Sequence, residues 1–68
     1  MAMEMIAVSS SAIRAVGYDP TTQRMNIRFQ QGHTYSFCRV PASVFEGLLA
    51  ASSKGSYYDR HIRDRYQC

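Results

Sequence analysis

Four side chains in this sequence could ligate a metal or act as nucleophiles: His33, Cys38, His61 and Cys68. A cysteine nucleophile needs a base within hydrogen-bond reach and a third group that orients that base. The strand pattern described below sets His33 and Cys38 on opposite faces of a sheet. Glu4, Asp19, Glu46, Asp59 and Asp64 are scattered, so no pair of carboxylates stands at a spacing suited to acid–base work. Structural zinc sites draw on closely spaced ligand pairs, and positions 33, 38, 61 and 68 offer none. The residues therefore argue against an enzyme and imply neither a metal nor a cofactor.

Cations and aromatics carry the remaining chemistry. The stretch "SSKGSYYDRHIRDRY", residues 52–66, holds Lys54, Arg60, Arg63, Arg65, three tyrosines and His61. Its Lys-Gly pair ahead of a helix suggests a phosphate loop, but a nucleotide loop needs more glycine and a preceding strand. The stronger reading is structural, with Gly55 making a tight bend and Ser53 or Ser56 capping the helix. Docking of an RNA phosphate there is the alternative. Tyr58, Ile62 and Tyr66 fall at i, i+4, i+8 and form one stripe that packs on the core. Asp59–Arg63 and Arg60–Asp64 are spaced as i, i+4 ion pairs.

These residues need a frame, which the hydrophobic period supplies. "MIAV" at 5–8 suggests a short strand, and residues 1–4 a loose start. In "SAIRAVGYD", alternation sends Ile13, Ala15 and Gly17 one way and Arg14, Val16 and Tyr18 the other. "DPTTQ" is a turn. "RMNIRFQ" alternates Met25, Ile27 and Phe29 with Arg24, Asn26, Arg28 and Gln30, the period of a half-buried strand. A three-residue loop, Gln30-Gln31-Gly32, then pairs Phe29 with His33, Ile27 with Tyr35 and Met25 with Phe37. A two-residue loop would set the aromatics on the wrong face. "VPASVFEGLLAAS" shifts to helical period, with Val44, Phe45, Leu48 and Leu49 on one face, Pro41 in the first turn and Gly47 suited to close packing. Lys54 and Gly55 separate this helix from a second one.

The expected fold is α+β: a small antiparallel β-meander of three to four strands with two C-terminal helices packed on one face. Residues 1–68 form a single domain. On this register Arg14, Arg24 and Arg28 share the outer sheet face around Val16 and Tyr18, with Arg14 directly opposite Arg28. Like charges so placed destabilise a sheet, yet arginines around an aromatic ring also suit phosphate contact and base stacking. The bland alternative is a solvated face, or one neutralised by nearby acids or a partner subunit.

"VSSSAIRAVGYDP" followed by "SKGSYYDRHIRDRY" strongly resembles the KTSC domain, a family named for its place at the C-terminus of some lysyl-tRNA synthetases. It also occurs as small free-standing bacterial and phage proteins. The matching residues are Val8-Ser9-Ser10, Ile13, Gly17-Tyr18-Asp19, Val40-Pro41, Ser53, Lys54, Gly55, Tyr57, Tyr58, Ile62, Arg63 and Tyr66, and the likeness runs from about Ile6 to Tyr66. Tyr58-Asp59 stands where the family pattern has Phe-Asn. The resemblance implies no activity; its association with a tRNA synthetase points toward RNA.

Size and charge set the limits. Sixty-eight residues, 46% hydrophobic and without tryptophan, make one thin-cored globular domain. A net charge of +3 permits a nucleic-acid or acidic protein partner and is also what solubility alone requires. No charged N-terminal region with a long apolar run opens the chain, and no apolar run approaches membrane-spanning length. The expectation is a cytoplasmic protein with reduced thiols and no membrane partner, in which Cys68 invites artefactual oxidation in vitro.

The reading favoured by the residues and the resemblance together is a small non-enzymatic accessory domain that binds nucleic acid, RNA in the first instance. Arg14, Arg24, Arg28, Lys54, Arg60 and Arg63 would contact phosphate, while Tyr18 and Tyr57 would stack. The alternative is a protein-interaction module, a phage-type adaptor or inhibitor, or a homodimer formed through Val16, Tyr18 and an open strand edge.

Overall fold

A computed structural model describes residues 3–68; Met1 and Ala2, half of the expected loose start, lie outside them. Four strands, β1 (Met5–Ala7), β2 (Ile13–Asp19), β3 (Arg24–Phe29) and β4 (Thr34–Phe37), form one antiparallel sheet in sequence order. Two helices follow, α1 (Ala42–Ala50) and α2 (Lys54–His61).

The β3–β4 hairpin has the expected register. Met25 faces Phe37 and Ile27 faces Tyr35. The Phe29 amide donates to the His33 carbonyl at 2.9 Å, and the Gly32 amide to the Phe29 carbonyl at 2.9 Å. Gly32 sits at φ +102°, a conformation that a residue with a Cβ adopts only under strain. The turn before β3 also forms as expected, with Asp19 accepting from the Thr21 amide at 2.9 Å.

Strand β2 departs from simple alternation. Its register runs Ile13↔Phe29, then Ala15↔Arg28 and Val16↔Ile27, with a bulge between Ile13 and Ala15. One extra residue opposes β3 there, so the side-chain parity resets. Val16 is fully buried with Ile13, and Tyr18 packs on the same core. The expected outer-face position of Val16 and Tyr18 is therefore wrong. Ala15, rather than Arg14, stands opposite Arg28, so the like-charge pair inferred from sequence is not directly opposed.

The core consists of Ile13, Val16, Met25, Ile27, Phe37, Val40, Leu48 and Ile62. Tyr18 stacks on Phe45 of α1 with ring centroids 4.8 Å apart, and its hydroxyl donates to the Val40 carbonyl at 2.6 Å. Tyr58 of α2 meets Phe29 and Phe37 edge-on at 5.0 and 6.0 Å. Burial raises the Tyr58 pKa, with Arg63 opposing that effect. Tyr58, Ile62 and Tyr66 do pack on the core, although α2 ends at His61 and Tyr66 reaches the core from the turn that follows. Lys54 and Gly55 open α2 rather than break the chain. Ser53 is the cap, its hydroxyl accepting from the Ser56 amide at 3.4 Å.

Both cysteines are oxidised. Cys38 and Cys68 form a disulfide, contrary to the expectation of reduced thiols. It fastens the chain end beside β4, where Gln67 bridges Phe37 and the Cys38 amide donates to the Tyr66 carbonyl at 2.8 Å. At the other edge, the approach of Met3–Met5 to Gly17 leaves no room for a side chain. A Cβ at Gly17 would sit 2.7 Å from the Met5 sulfur and 2.9 Å from the Glu4 carbonyl oxygen.

A sequence separation of 30 makes the disulfide worth roughly 3–4 kcal/mol by loop-closure entropy. The Cys38→Ser/Cys68→Ser variant should lose about that much in urea unfolding, and reductant should no longer shift its midpoint. Gly17→Ala should destabilise by roughly 1–3 kcal/mol through overpacking, with hydrogen-exchange protection lost first at Ile6 and Val16. Tyr58 favours its protonated form in the folded state, so its contribution is intact below the ordinary tyrosine pKa and lost as pH rises through the higher folded value. Urea midpoints from about pH 9 to about pH 11.5 should fall more steeply for the native chain than for Tyr58→Phe.

Candidate nucleic-acid interface

The sheet has one face under the helices and one open face. The β2 bulge and β3–β4 register leave the open face to Arg24, Asn26 and Arg28 of β3 beside Thr34 and Ser36 of β4. Arg24 and Arg28 are exposed. Four residues apart on a strand, their Cα atoms are about 13 Å apart. The Ser36 hydroxyl donates to Asn26 Oδ1 at 2.8 Å, and Arg28 Nε donates to Thr34 Oγ1 at 3.3 Å. These bonds orient the polar row between and around the two guanidiniums. Asp19 faces Arg24 across the β2–β3 ladder, but its carboxylate also accepts from the Thr21 amide. Arg14 is exposed at the bulge, between the core-facing Ile13 and Val16.

The remaining candidate residues divide among different tasks. The Tyr18 ring lies on the helix side with its hydroxyl occupied, so it supplies no aromatic surface to the open face. Lys54 turns back on α1, its ammonium donating to the Ala51 carbonyl at 3.0 Å. That closes the end of α1, where a cation meets unpaired carbonyls. Arg63 pairs with Asp59 at 3.7 Å, both side chains 63% exposed, as the i, i+4 spacing predicted. Among the described residues this is the only ion pair. The anticipated Arg60–Asp64 pair is not formed, because the helix stops at His61 and Asp64 takes φ +62°.

Tyr57 and Arg60 belong to a separate surface on the helical side. They line a shallow cleft of about 230 Å³ at the junction of α1 and α2, together with Ser53, Ser56 and His61. The Tyr57 hydroxyl lies directly over Gly47 of α1, in the close contact that a glycine at this position makes possible. His61 stacks obliquely on Tyr57 at 4.5 Å. Sequence reasoning named Tyr57 and Arg60 but did not connect His61, Ser53 and Ser56 to them as one surface. Their spacing, 53, 56, 57, 60 and 61, is one helical face and could have done so. Of the eight candidates, Arg24 and Arg28 share the sheet face and Tyr57 and Arg60 the helical-side cleft; Tyr18, Lys54 and Arg63 join neither surface, and Arg14 stands at the bulge.

Neither histidine joins a cysteine or carboxylate cluster. His33 is exposed at the hairpin, Cys38 is held in its disulfide, and no three His, Cys, Asp or Glu side chains gather among the described residues. No helix among the described residues is long and apolar enough to cross a membrane.

Similar chains occur in other proteins. The KTSC domain family model matches residues 9–66. A protein of Tsukamurella paurometabola is 44% identical over 93% of this chain and 94% of its own length. A lysine–tRNA ligase of Nostoc sp. is 34% identical over 98% of this chain, which spans only 12% of that enzyme. The crystal structure of a KTSC domain protein from Yersinia pestis superposes with a TM-score of 0.94 at 36% identity, covering 98% of this chain and 94% of that one. Matched along most of its length in sequence and in fold, the chain belongs to the KTSC domain family.

Proposed function

We propose that the domain is a nucleic-acid-binding accessory module whose ligand class is RNA, and that its open sheet face contacts the phosphate backbone. The observation that carries this reading is the row Arg24–Asn26–Arg28 with Thr34 and Ser36. It presents two exposed guanidiniums and fixed hydrogen-bonding groups, bordered on the β1 side by Met3 and Met5 over Gly17. Such a surface offers charge-assisted hydrogen bonds to phosphate oxygens. The match of this domain to 12% of the lysine–tRNA ligases of Nostoc sp. and Nostoc punctiforme supports RNA as the ligand, since those enzymes act on tRNA by name. With Tyr18 turned inward, the open face lacks a stacking ring. Contact there is to phosphate and is tolerant of sequence.

A second reading rests on the β1 edge. Met5 and Ile6 are 37% and 43% exposed on that short outer strand, whereas the β4 edge is bridged by Gln67. An open edge with apolar side chains is a template for strand addition. Val16 and Tyr18, first considered for such contacts, are inside the domain and do not contribute.

Fluorescence anisotropy with labelled tRNA, single-stranded RNA and duplex DNA at several salt concentrations tests the first reading. Arg24→Ala/Arg28→Ala should weaken RNA binding and reduce the slope of log affinity against log salt by about 1.4 for a single strand, about 0.7 per lost phosphate contact. Arg63→Ala, which removes a cation already paired with Asp59, should change the slope far less. An unaltered slope in the double variant removes the sheet face from the interface. Light scattering on dilution tests the second reading: a dimer that persists at high salt and is abolished by Ile6→Lys would favour pairing through β1.

A further inference from the structure

The cleft at the α1–α2 junction is physically unlike the sheet face. It combines a cation, a hydroxyl donor and two aromatic rings within a single concave volume of about 230 Å³. At roughly 30 Å³ per water, this is the space of seven or eight water molecules. It falls below the range of about 300–1,000 Å³ typical of drug-sized pockets. The size suits one phosphate and the ring system attached to it, not several nucleotides.

The groups in the cleft are free to act. Asp59, the adjacent acid, pairs with Arg63, and no carboxylate lines the cleft. The Arg60 side chain is exposed. Ser56 stands four residues before Arg60, so the two are neighbours on the helix surface. The Ser56 oxygen accepts from the Ser53 hydroxyl at 3.0 Å, which leaves the Ser56 proton available to donate. A guanidinium and a hydroxyl one turn apart are suitable partners for phosphate oxygens. Beside them the Tyr57–His61 pair, 4.5 Å between centroids, makes an aromatic surface. Contact of Tyr57 with Gly47 anchors one side of that pair to α1.

We propose that this cleft is a mononucleotide subsite. Arg60 and Ser56 hold the phosphate of one nucleotide, and the base stacks against the Tyr57–His61 pair. The ligand is a phosphorylated nucleoside, either free or as one unit of a strand. Its identification as part of an RNA rests on the reading proposed above, whereas the subsite itself rests on the cleft. Base stacking on aromatic side chains is tolerant of base identity, so the site distinguishes nucleotide from nucleoside rather than one base from another.

Amide chemical-shift titration of the oxidised, isotope-labelled chain tests this. The probes are uridine monophosphate, uridine and inorganic phosphate, followed by a short single-stranded RNA. Uridine monophosphate should shift Ser56, Tyr57, Arg60 and His61 in a saturable way. Uridine alone and inorganic phosphate alone should each bind at least about tenfold more weakly, because each lacks one of the two contacts. Arg60→Ala should weaken the nucleotide by about tenfold or more while leaving uridine unchanged. His61→Ala should weaken both nucleotide and uridine. Absence of saturable shifts at these four residues overturns the proposal, as does equal affinity for inorganic phosphate and nucleotide. If RNA then shifts only Arg24 and Arg28 of β3, the subsite fails while the RNA reading stands. If the nucleotide fills the cleft but RNA does not bind, the subsite stands and the RNA reading fails.

Discussion

The bulge between Ile13 and Ala15 is the constraint on which the rest of the molecule depends. Without it, strict alternation along β2 would turn Val16 and Tyr18 to the open face and send Ala15 and Gly17 inward. The core would then lose a fully buried valine and the ring that stacks on Phe45. Small residues would replace them at the centre of a sheet with very little interior to spare. One extra residue reverses the parity of everything after Ile13. Large side chains thereby come under the helices, while Gly17 lies where Met3–Met5 approach closely. The alternation of β3 places Arg24 and Arg28 on the other face, from which the bulge withdraws the Tyr18 ring.

A domain this small also has to manage its chain ends and polar groups economically. Ser10 accepts from the Ala12 and Ile13 amides at 3.1 and 3.2 Å, and Gln30 donates to the Ser10 carbonyl at 2.9 Å. The serine-rich opening is thus a hydrogen-bonded lead into β2. Tyrosines supply much of the area that packs around the eight-residue core, and their ring ends can reach polar partners at the rim. The disulfide and the Phe37–Gln67 bridge fasten the C-terminal turn across the β4 edge. Small domains commonly need such a covalent staple because burial alone leaves little margin over chain entropy.

The basic residues are not equivalent. Lys54 completes a helix end, Arg63 is occupied by Asp59, and Arg24 and Arg28 project from a flat polar face. Arg60 lies across the domain with an aromatic pair. Net charge therefore says little about how much of this molecule meets an anion; secondary-structure placement decides which cations are free to do so.

Much of the fold was legible in the residues. The 25/27/29 alternation, the Gly32 turn and the change to helical period at Pro41 each depend on a few neighbouring positions, and local steric rules settle such features. The Tyr58/Ile62 stripe and the Asp59–Arg63 pair were readable for the same reason. The candidate site was legible only as a list of cations and rings. Its division into two surfaces, the withdrawal of Tyr18 and the joining of Cys38 to Cys68 all depend on contacts between residues distant in sequence. A bulge has little local signature, since either parity of "IRAVGYD" reads as a strand. The choice is made by which parity fills the space beneath Phe45 and Leu48. Sequence determined the elements and the family because both are written in local order. Tertiary structure decided which side chains face water, because that depends on the volume the whole core must fill.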